Sequence, residues 1–172
     1  NIFFKKIFKG KIIKILNYIE FGANNGNNSD SLAKIFKKSQ FTAVDINKKA
    51  CDILKKNKPK IDVINSNIED FNINKKFDLV LSKGVLIHIN PNQLNKAYDK
   101  IFNSSRKYIL LVEYYNPSPV QIIYRKKKNK LFKRDFAGEM INKYGLKLID
   151  YGFSYRFDKY PQDDLTWFLL KK

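Results

Sequence analysis

The sequence predicts an α/β protein built on a seven-stranded, mostly parallel sheet, with helices on both faces and an antiparallel hairpin at the C-terminal end. Short β-branched apolar runs alternate with segments of helical spacing, and a parallel crossover needs a helix on the sheet face. The run FDLVLS at 77–82 is almost continuously apolar, as a strand buried on both faces must be. The last two runs are separated only by residues 157–164, too few for a helical crossover, so one strand must run against the rest.

In chain order, KIIKILNYIEF (11–21) reads as the first strand and ends at the Gly/Asn cluster GANNGNNSD, after which SLAKIFKK has helical spacing. FTAVDI (41–46) is the second strand, followed by the helix NKKACDILKKN with Asn47 as its N-cap. KIDVIN (60–65) and FDLVLS are the third and fourth strands. PNQLNKAYDKIFNSS (91–105) opens a helix with Pro at its first turn. KYILLVEYY (107–115) is the fifth strand. Asn116-Pro117-Ser118-Pro119 breaks it and starts a long connection of the kind that forms lids and binding loops, ending in the basic loop at 125–134. RDFAGEMINKYG is a helix closed by Gly145, and LKLIDYGFSYR and DLTWFLLKK are the two final strands. Residues 1–14 are compatible with a helix or with the frayed end of a longer element.

At 172 residues the chain has the size of one domain and should bury roughly 70% of its unfolded surface. No apolar run approaches the roughly 20 residues a bilayer span needs, so no membrane span is expected. The single cysteine, Cys51, excludes disulfide scaffolds and Cys-rich metal sites; no metal is expected, and a reducing, cytoplasmic compartment fits. The opening NIFFKKIFKG lacks an initiator Met and does not read as a signal peptide, which suggests an N-terminal truncation. The formal charge of +18 would ordinarily point to nucleic acid, but the basic residues are 30 Lys and only 4 Arg beside 21 Ile and 19 Asn. That is the usage of an A- and T-rich coding sequence, and it weakens the inference.

The chemistry concentrates in the loop after the first strand, Glu20-Phe21-Gly22-Ala23-Asn24-Asn25-Gly26-Asn27, because open α/β sheets bind ligands outside the carboxyl ends of their strands. Gly22 permits a sharp turn and close ligand approach, and Gly26 permits close passage into the helix. Asn24 is among the few non-glycine residue types that enter the left-handed region at modest cost. Asp45, about 20 residues on at the end of the second strand, can accept two hydrogen bonds from ribose hydroxyls. The pattern is E-x-G-x-N-x-G rather than G-x-G-x-x-G, which makes pyrophosphate binding the weaker reading.

The terminal hairpin, the EFGANNGN loop and Asp45 together resemble a class I S-adenosylmethionine (SAM) dependent methyltransferase, with its Rossmann-like sheet. More narrowly, IEFGANNGNNSDSL, FDLVLSKGVLIHINPNQL, YILLVEYYNPSPVQIIYR, KLFKRDFAGEMINKYGLKLIDYGF and PQDDLTWFLL resemble the methylases associated with biosynthesis of pseudaminic acid, a sialic-acid-like sugar of bacterial surfaces. The resemblance runs from about residue 15 to the end. Members of that family carry a further N-terminal segment, in line with the truncation expected above.

The resemblance implies SAM as cofactor and S-adenosylhomocysteine as product. Gly22, Ala23, Asn24 and Gly26 would pack on the amino-acid portion of SAM, Asp45 would hold the ribose with Ile46 beside the adenine, and Glu20 would orient the cofactor through loop amides or the ammonium. Ser66, Asn67 and Ile68 would supply the adenine edge, or be a plain polar loop. Ser82, Lys83 and Gly84 follow the fourth strand, where the methionine end and the acceptor meet; Lys83 is either a point charge for an acceptor carboxylate or phosphate, or a solvated lysine. His88, the only histidine, is either the general base or a residue capping the next helix.

Glu113 and Tyr115 share a face at the end of the fifth strand and are candidates for acceptor binding, with Tyr114 on the other face. The run 125–134 holds seven positive residues, including two of the four arginines, and favours an anionic acceptor contacted by Arg125, Lys133 or Arg134. A phosphate-tracking RNA patch and a solvated loop are its competing readings. The expected function is methyl transfer to an O or N atom of an anionic sugar or sugar nucleotide in surface glycan biosynthesis. The alternatives are an RNA-directed methyltransferase and a SAM-fold binding or scaffold module without turnover. The oligomeric state is not legible in the sequence.

Overall fold

The computed structural model describes residues 2–72, 74–124, 127–159 and 161–172, without the side chains of 127–129. The chain begins with helix α1 (Ile2–Phe8), then strand β1 (Asn17–Phe21), α2 (Asn27–Ala33), β2 (Gln40–Asp45), α3 (Lys48–Asn57), β3 (Asp62–Asn65) and β4 (Phe77–Lys83). A 3-10 turn at Leu86–His88 leads to α4 (Pro91–Ser104) and β5 (Ser105–Glu113). Strands β6 (Val120–Tyr124) and β7 (Lys127–Lys133), helix α5 (Phe136–Tyr144), β8 (Lys147–Ser154) and β9 (Leu165–Lys171) complete it. The seven-stranded sheet has the order β3-β2-β1-β4-β5-β9-β8. Strands β1 to β5 are parallel, and β9 runs antiparallel between β5 and β8.

The helix starts follow local chemistry. Asn47 accepts hydrogen bonds from the N–H groups of Lys49 and Ala50, Asn90 from that of Asn92 just ahead of Pro91, and Asp135 from that of Gly138, so orphan amides of α3, α4 and α5 are satisfied by side chains. Gly145 closes α5 in the left-handed conformation.

Alternation along the strands then builds one core on each face. Ile19, Phe21, Val44, Val80, Ile109 and Leu111 pack against α4 and α5 through Leu94, Ala97, Ile101, Phe136 and Met140. On the other face Tyr18, Leu79, Leu81, Leu110 and Val112 meet Phe3, Phe4, Ile7 and Phe8 of α1 and Leu32 of α2, while Ala23, Ala43 and Leu54 join α3 to the sheet. Far from the ligand edge, Asp78 accepts from the Leu16 N–H at 2.8 Å and from Arg106 Nε at 3.0 Å, and so ties the start of β1 to β4 and β5.

Three expectations are corrected. The first strand begins at Asn17 and not at residue 11, because the preceding segment leaves the sheet to connect with α1. Helix α2 begins at Asn27, earlier than its apolar spacing indicates. The basic loop and lid-like connection are instead a two-stranded hairpin of β6 and β7, with Val120 opposite Lys133, Gln121 opposite Phe132 and Ile122 opposite Leu131. Leu131 is buried in the core beneath α4 and α5; the lysines around it hide the period-two pattern. Among the described residues no helix is long and apolar enough to cross a membrane.

Residues 1–14 were open between helix and frayed end. Here α1 is a docked helix, and its Ile7 is fully buried. Ile7→Ala should therefore lower unfolding free energy by roughly 2–5 kcal/mol in urea titrations, against under about 0.5 kcal/mol for the exposed Ile12→Ala. Equal, small effects would show that α1 does not belong to the folded unit.

Candidate active site

The carboxyl ends of β1, β2 and β4 converge on a cavity of about 380 Å³. Its walls are Phe21, Gly22, Val44, Asp45, Ile46, Ser66, Asn67, Ile68, Glu69, Gly84, Val85, His88 and Ile89. Gly22 N–H and Ala23 N–H both donate to the Val44 carbonyl, at 2.8 and 3.1 Å, which folds the loop after β1 back over β2. Gly22 has φ 75°, and a Cβ built there would lie 2.2 Å from Val85 Cγ2, so the turn and the packing both require glycine. Gly26, with φ 81°, would meet Leu54 of α3 at 2.7 Å. Asn24 adopts φ 47°, as its residue type allows.

Asp45 joins the two halves of this edge. Its Oδ2 accepts from the Asn24 N–H at 2.7 Å and its Oδ1 from the Asn47 N–H at 2.8 Å. One carboxylate thus sets both the loop after β1 and the start of α3, and each oxygen keeps a lone pair for a ligand. Ile46 beside it is 74% exposed, a large apolar side chain held open at the cavity wall. On the far side, the Ser66 N–H donates to the Asp45 carbonyl at 3.0 Å, Ser66 Oγ donates to the Asn67 carbonyl, and the Asn67 side chain accepts from the Asp70 N–H.

Two buried carboxyl groups lie behind the wall. Glu20 accepts from Asn28 Nδ2 at 2.7 Å through Oε1, while Oε2 is buried with no hydrogen-bond partner among the described residues. Glu113 Oε1 accepts from Ser82 Oγ at 2.8 Å and from the N–H groups of Val85 and Leu86 at 3.1 and 3.2 Å; its Oε2 is likewise buried and unpartnered. Burial pushes each carboxyl up to about 7. Lys83 is half-buried nearby; burial lowers its pKa, and Glu20, Glu113 and Asp163 act in the opposite direction.

His88 reaches the cavity from the 3-10 turn, where β7 packs. Its Nδ1 lies 2.8 Å from the Lys130 carbonyl, which can only accept, so this contact assigns a proton to Nδ1 and, in the neutral ring, puts the lone pair on Nε2, which has no hydrogen-bond partner among the described residues. The Tyr124 ring stands 5.6 Å from the imidazole.

Of the residues singled out in the sequence, Gly22, Asp45, Ile46, Ser66, Asn67, Ile68, Gly84 and His88 come together around the cavity. Glu20, Ala23, Asn24, Gly26, Ser82 and Lys83 form the loop and strand ends that shape it without being among its walls. The expected acceptor residues do not gather there. Glu113 is buried as a turn anchor, Tyr115 packs near Phe168, Arg134 donates to Glu139 at 2.6 Å, and Lys133 lies over the Tyr114 ring. Arg125 lies outside the described residues. Val85, Glu69 and Ile89 were not anticipated as walls, nor was the Lys130 carbonyl as the partner of His88, because that contact needs the hairpin that the lysines obscured.

A seven-stranded sheet with one antiparallel insertion and a glycine loop beside a strand-end aspartate defines a class I SAM-dependent methyltransferase. The chain belongs to the methyltransferase domain family, which it matches over residues 19–107. Among solved structures it is similar to the 1,6-didemethyltoxoflavin-N1-methyltransferase of Burkholderia thailandensis, at a TM-score of 0.78 and 12% identity, over 98% of this chain and 76% of that one. It is also similar to an N-methyltransferase of Bradyrhizobium japonicum WM9 (0.73, 14%, 92% and 79%) and to an O-methyltransferase of a Brevibacillus brevis polyketide synthase multienzyme (0.71, 13%, 88% and 53%). All three were crystallised with S-adenosylhomocysteine, and at these identities the likeness is one of fold. The chain spans about half the length of the Brevibacillus protein. Comparison with curated protein sequences returns no match.

The buried carboxyls predict a pH dependence. A folded pKa of about 7 against an ordinary 4.5 means the folded chain holds these protons more tightly than the unfolded one. Their contribution to stability is therefore fully present below about pH 4.5 and is lost as pH rises through about 7. Glu113→Gln keeps an acceptor oxygen for Ser82, Val85 and Leu86 but cannot ionise, so it should flatten the fall in stability across that window in urea titrations. An unchanged slope would remove Glu113 as a source of the dependence.

Proposed function

We propose that this methyltransferase transfers a methyl group from SAM to an O or N atom of a small anionic acceptor, a sugar or sugar nucleotide of surface glycan biosynthesis. The residues present suit the cofactor: the cavity volume falls within the range of small-molecule sites, its walls are mainly apolar, and Asp45 offers two acceptor oxygens at its edge. Asp45 would hold the ribose, Ile46 and Ile68 would flank the adenine, and the Gly22 to Gly26 loop would receive the amino-acid portion. When bound, SAM supplies a methyl activated by its sulfonium, so positioning and proton removal are left to the protein.

The observation that carries the catalytic assignment is the Nε2 of His88 on the cavity wall, without a hydrogen-bond partner among the described residues, with Nδ1 fixed by the Lys130 carbonyl. A hydroxyl acceptor becomes more nucleophilic as it loses its proton, and Nε2 is a nitrogen base in reach of the cavity. An uncharged amine needs no base before attack, so His88 matters most for an oxygen acceptor. Lys83 supports the anionic class: it is half-buried at the end of β4 and forms no ion pair with a described carboxylate. The sugar class rests on the sequence blocks that resemble the pseudaminic-acid-associated methylases.

Calorimetric titration with S-adenosylhomocysteine should give one saturable site, and Asp45→Ala should weaken it roughly 10- to 100-fold, the worth of hydrogen bonds to a charged group. His88→Gln should leave that binding intact and lower kcat by roughly 10²- to 10⁴-fold in labelled-methyl assays on acidic sugars and sugar nucleotides. Methyl transfer to RNA and not to any sugar would overturn the acceptor class; an unaltered kcat would return His88 to a structural role.

A further inference from the structure

The positive charge is not spread evenly, and besides the run at 125–134 a second unbalanced share lies away from the cavity. Residues 1–40 hold eight lysines and only two carboxylates, Glu20 and Asp30. Glu20 is buried behind the cavity wall and Asp30 is paired with Lys58. Lys11 pairs with Asp150, and Lys5, Lys6, Lys9, Lys14, Lys34, Lys37 and Lys38 form no ion pair among the described residues. Helix α1 and the turn after α2 are brought together by an edge contact between Phe8 and Phe36, centroids 5.0 Å apart, so the lysines flanking each ring belong to neighbouring segments.

Between α1 and Ile35 lies an open, mainly apolar groove of about 520 Å³ lined by Ile2, Lys5, Lys6, Phe8, Lys9 and Ile35. Ile2 is 43% exposed at its end, and Ile12 and Leu16 stand exposed in the segment that follows. None of the groove residues belongs to the cofactor cavity.

We propose that this face docks the protein on an anionic lipid surface, with lysines at the headgroups and the aliphatic side chains at the acyl boundary. Charge complementarity selects the partner: none of these seven ammonium groups is paired with a carboxylate among the described residues. The apolar component distinguishes lipid from nucleic acid. Exposed large apolar residues of this region are aliphatic only, with no exposed aromatic to stack on a base and no arginine fork. Lysine stems can lie along the groove while their ends reach the phosphates. The proposal is independent of the acceptor class.

Sedimentation with vesicles of phosphatidylcholine containing phosphatidylglycerol, against phosphatidylcholine alone, tests it on the chain as it stands. Binding should require phosphatidylglycerol and fall steeply with salt. The exposed triple variant Lys5→Gln, Lys6→Gln, Lys9→Gln should lower partitioning roughly 100-fold, several-fold per lysine. The charge-matched variant Lys76→Gln, Lys96→Gln, Lys147→Gln should retain it, and Ile2→Ser should weaken it without altering the salt dependence. Equal losses in both triple variants would reduce the effect to net charge and overturn the docking face. So would absence of vesicle binding, equal binding to pure phosphatidylcholine, or binding through these lysines to RNA but not to vesicles.

Discussion

The buried Glu113 carboxylate is the constraint on which the site's geometry rests. Its Oε1 accepts from Ser82 at the end of β4 and from the amides of Val85 and Leu86, so a strand end and the start of a 3-10 turn share one acceptor. That places Val85 where its Cγ2 fills the space a side chain on Gly22 would need. The same turn carries His88 to the cavity wall and to the Lys130 carbonyl of β7. A hydrogen bond donated to a buried carboxylate is among the stronger local restraints, and here one oxygen gathers three donors.

This arrangement is held at an electrostatic cost. Glu20 and Glu113 are both fully enclosed, each with one unpartnered oxygen, and both carboxyls are pushed to about 7. Leaving a buried acceptor unmatched is destabilising, by about 1–3 kcal/mol for a neutral group and more for a charged one. Natural chains keep such groups where they serve a site, and both lie at strand ends around one cavity with Lys83 close by. The surface lysines follow a different logic, because solvent screens them and their position matters more than their number.

The N-terminal helix shows how the two faces of the sheet are completed. Strands β4 and β5 are apolar on both sides, and α4 and α5 cover only one of them. Phe3, Phe4, Ile7 and Phe8 of α1 close the other, which leaves the lysines of that helix pointing away from the core. An amphipathic helix with its apolar stripe already buried by the sheet has its polar face free for a second role.

The sequence by itself determined the βα alternation, the strands of the seven-stranded sheet, the Asn47 cap, Pro91 at the first turn of α4, the glycine loop and its Asp45 partner. Each of these signals is local: a periodicity, a cap or a turn that a few adjacent residues specify. Contacts decided the rest. That Glu113 serves as an internal anchor depends on Ser82 and Val85, some thirty positions away in the chain. The free nitrogen of His88 depends on a carbonyl 42 residues distant. The hairpin of β6 and β7 escaped because β7 carries lysines where a half-buried strand ordinarily shows its alternation, and only the burial of Leu131 reveals which side of that strand faces in. Residue pattern specifies elements, whereas the meaning of a carboxylate or an imidazole depends on what the fold brings beside it.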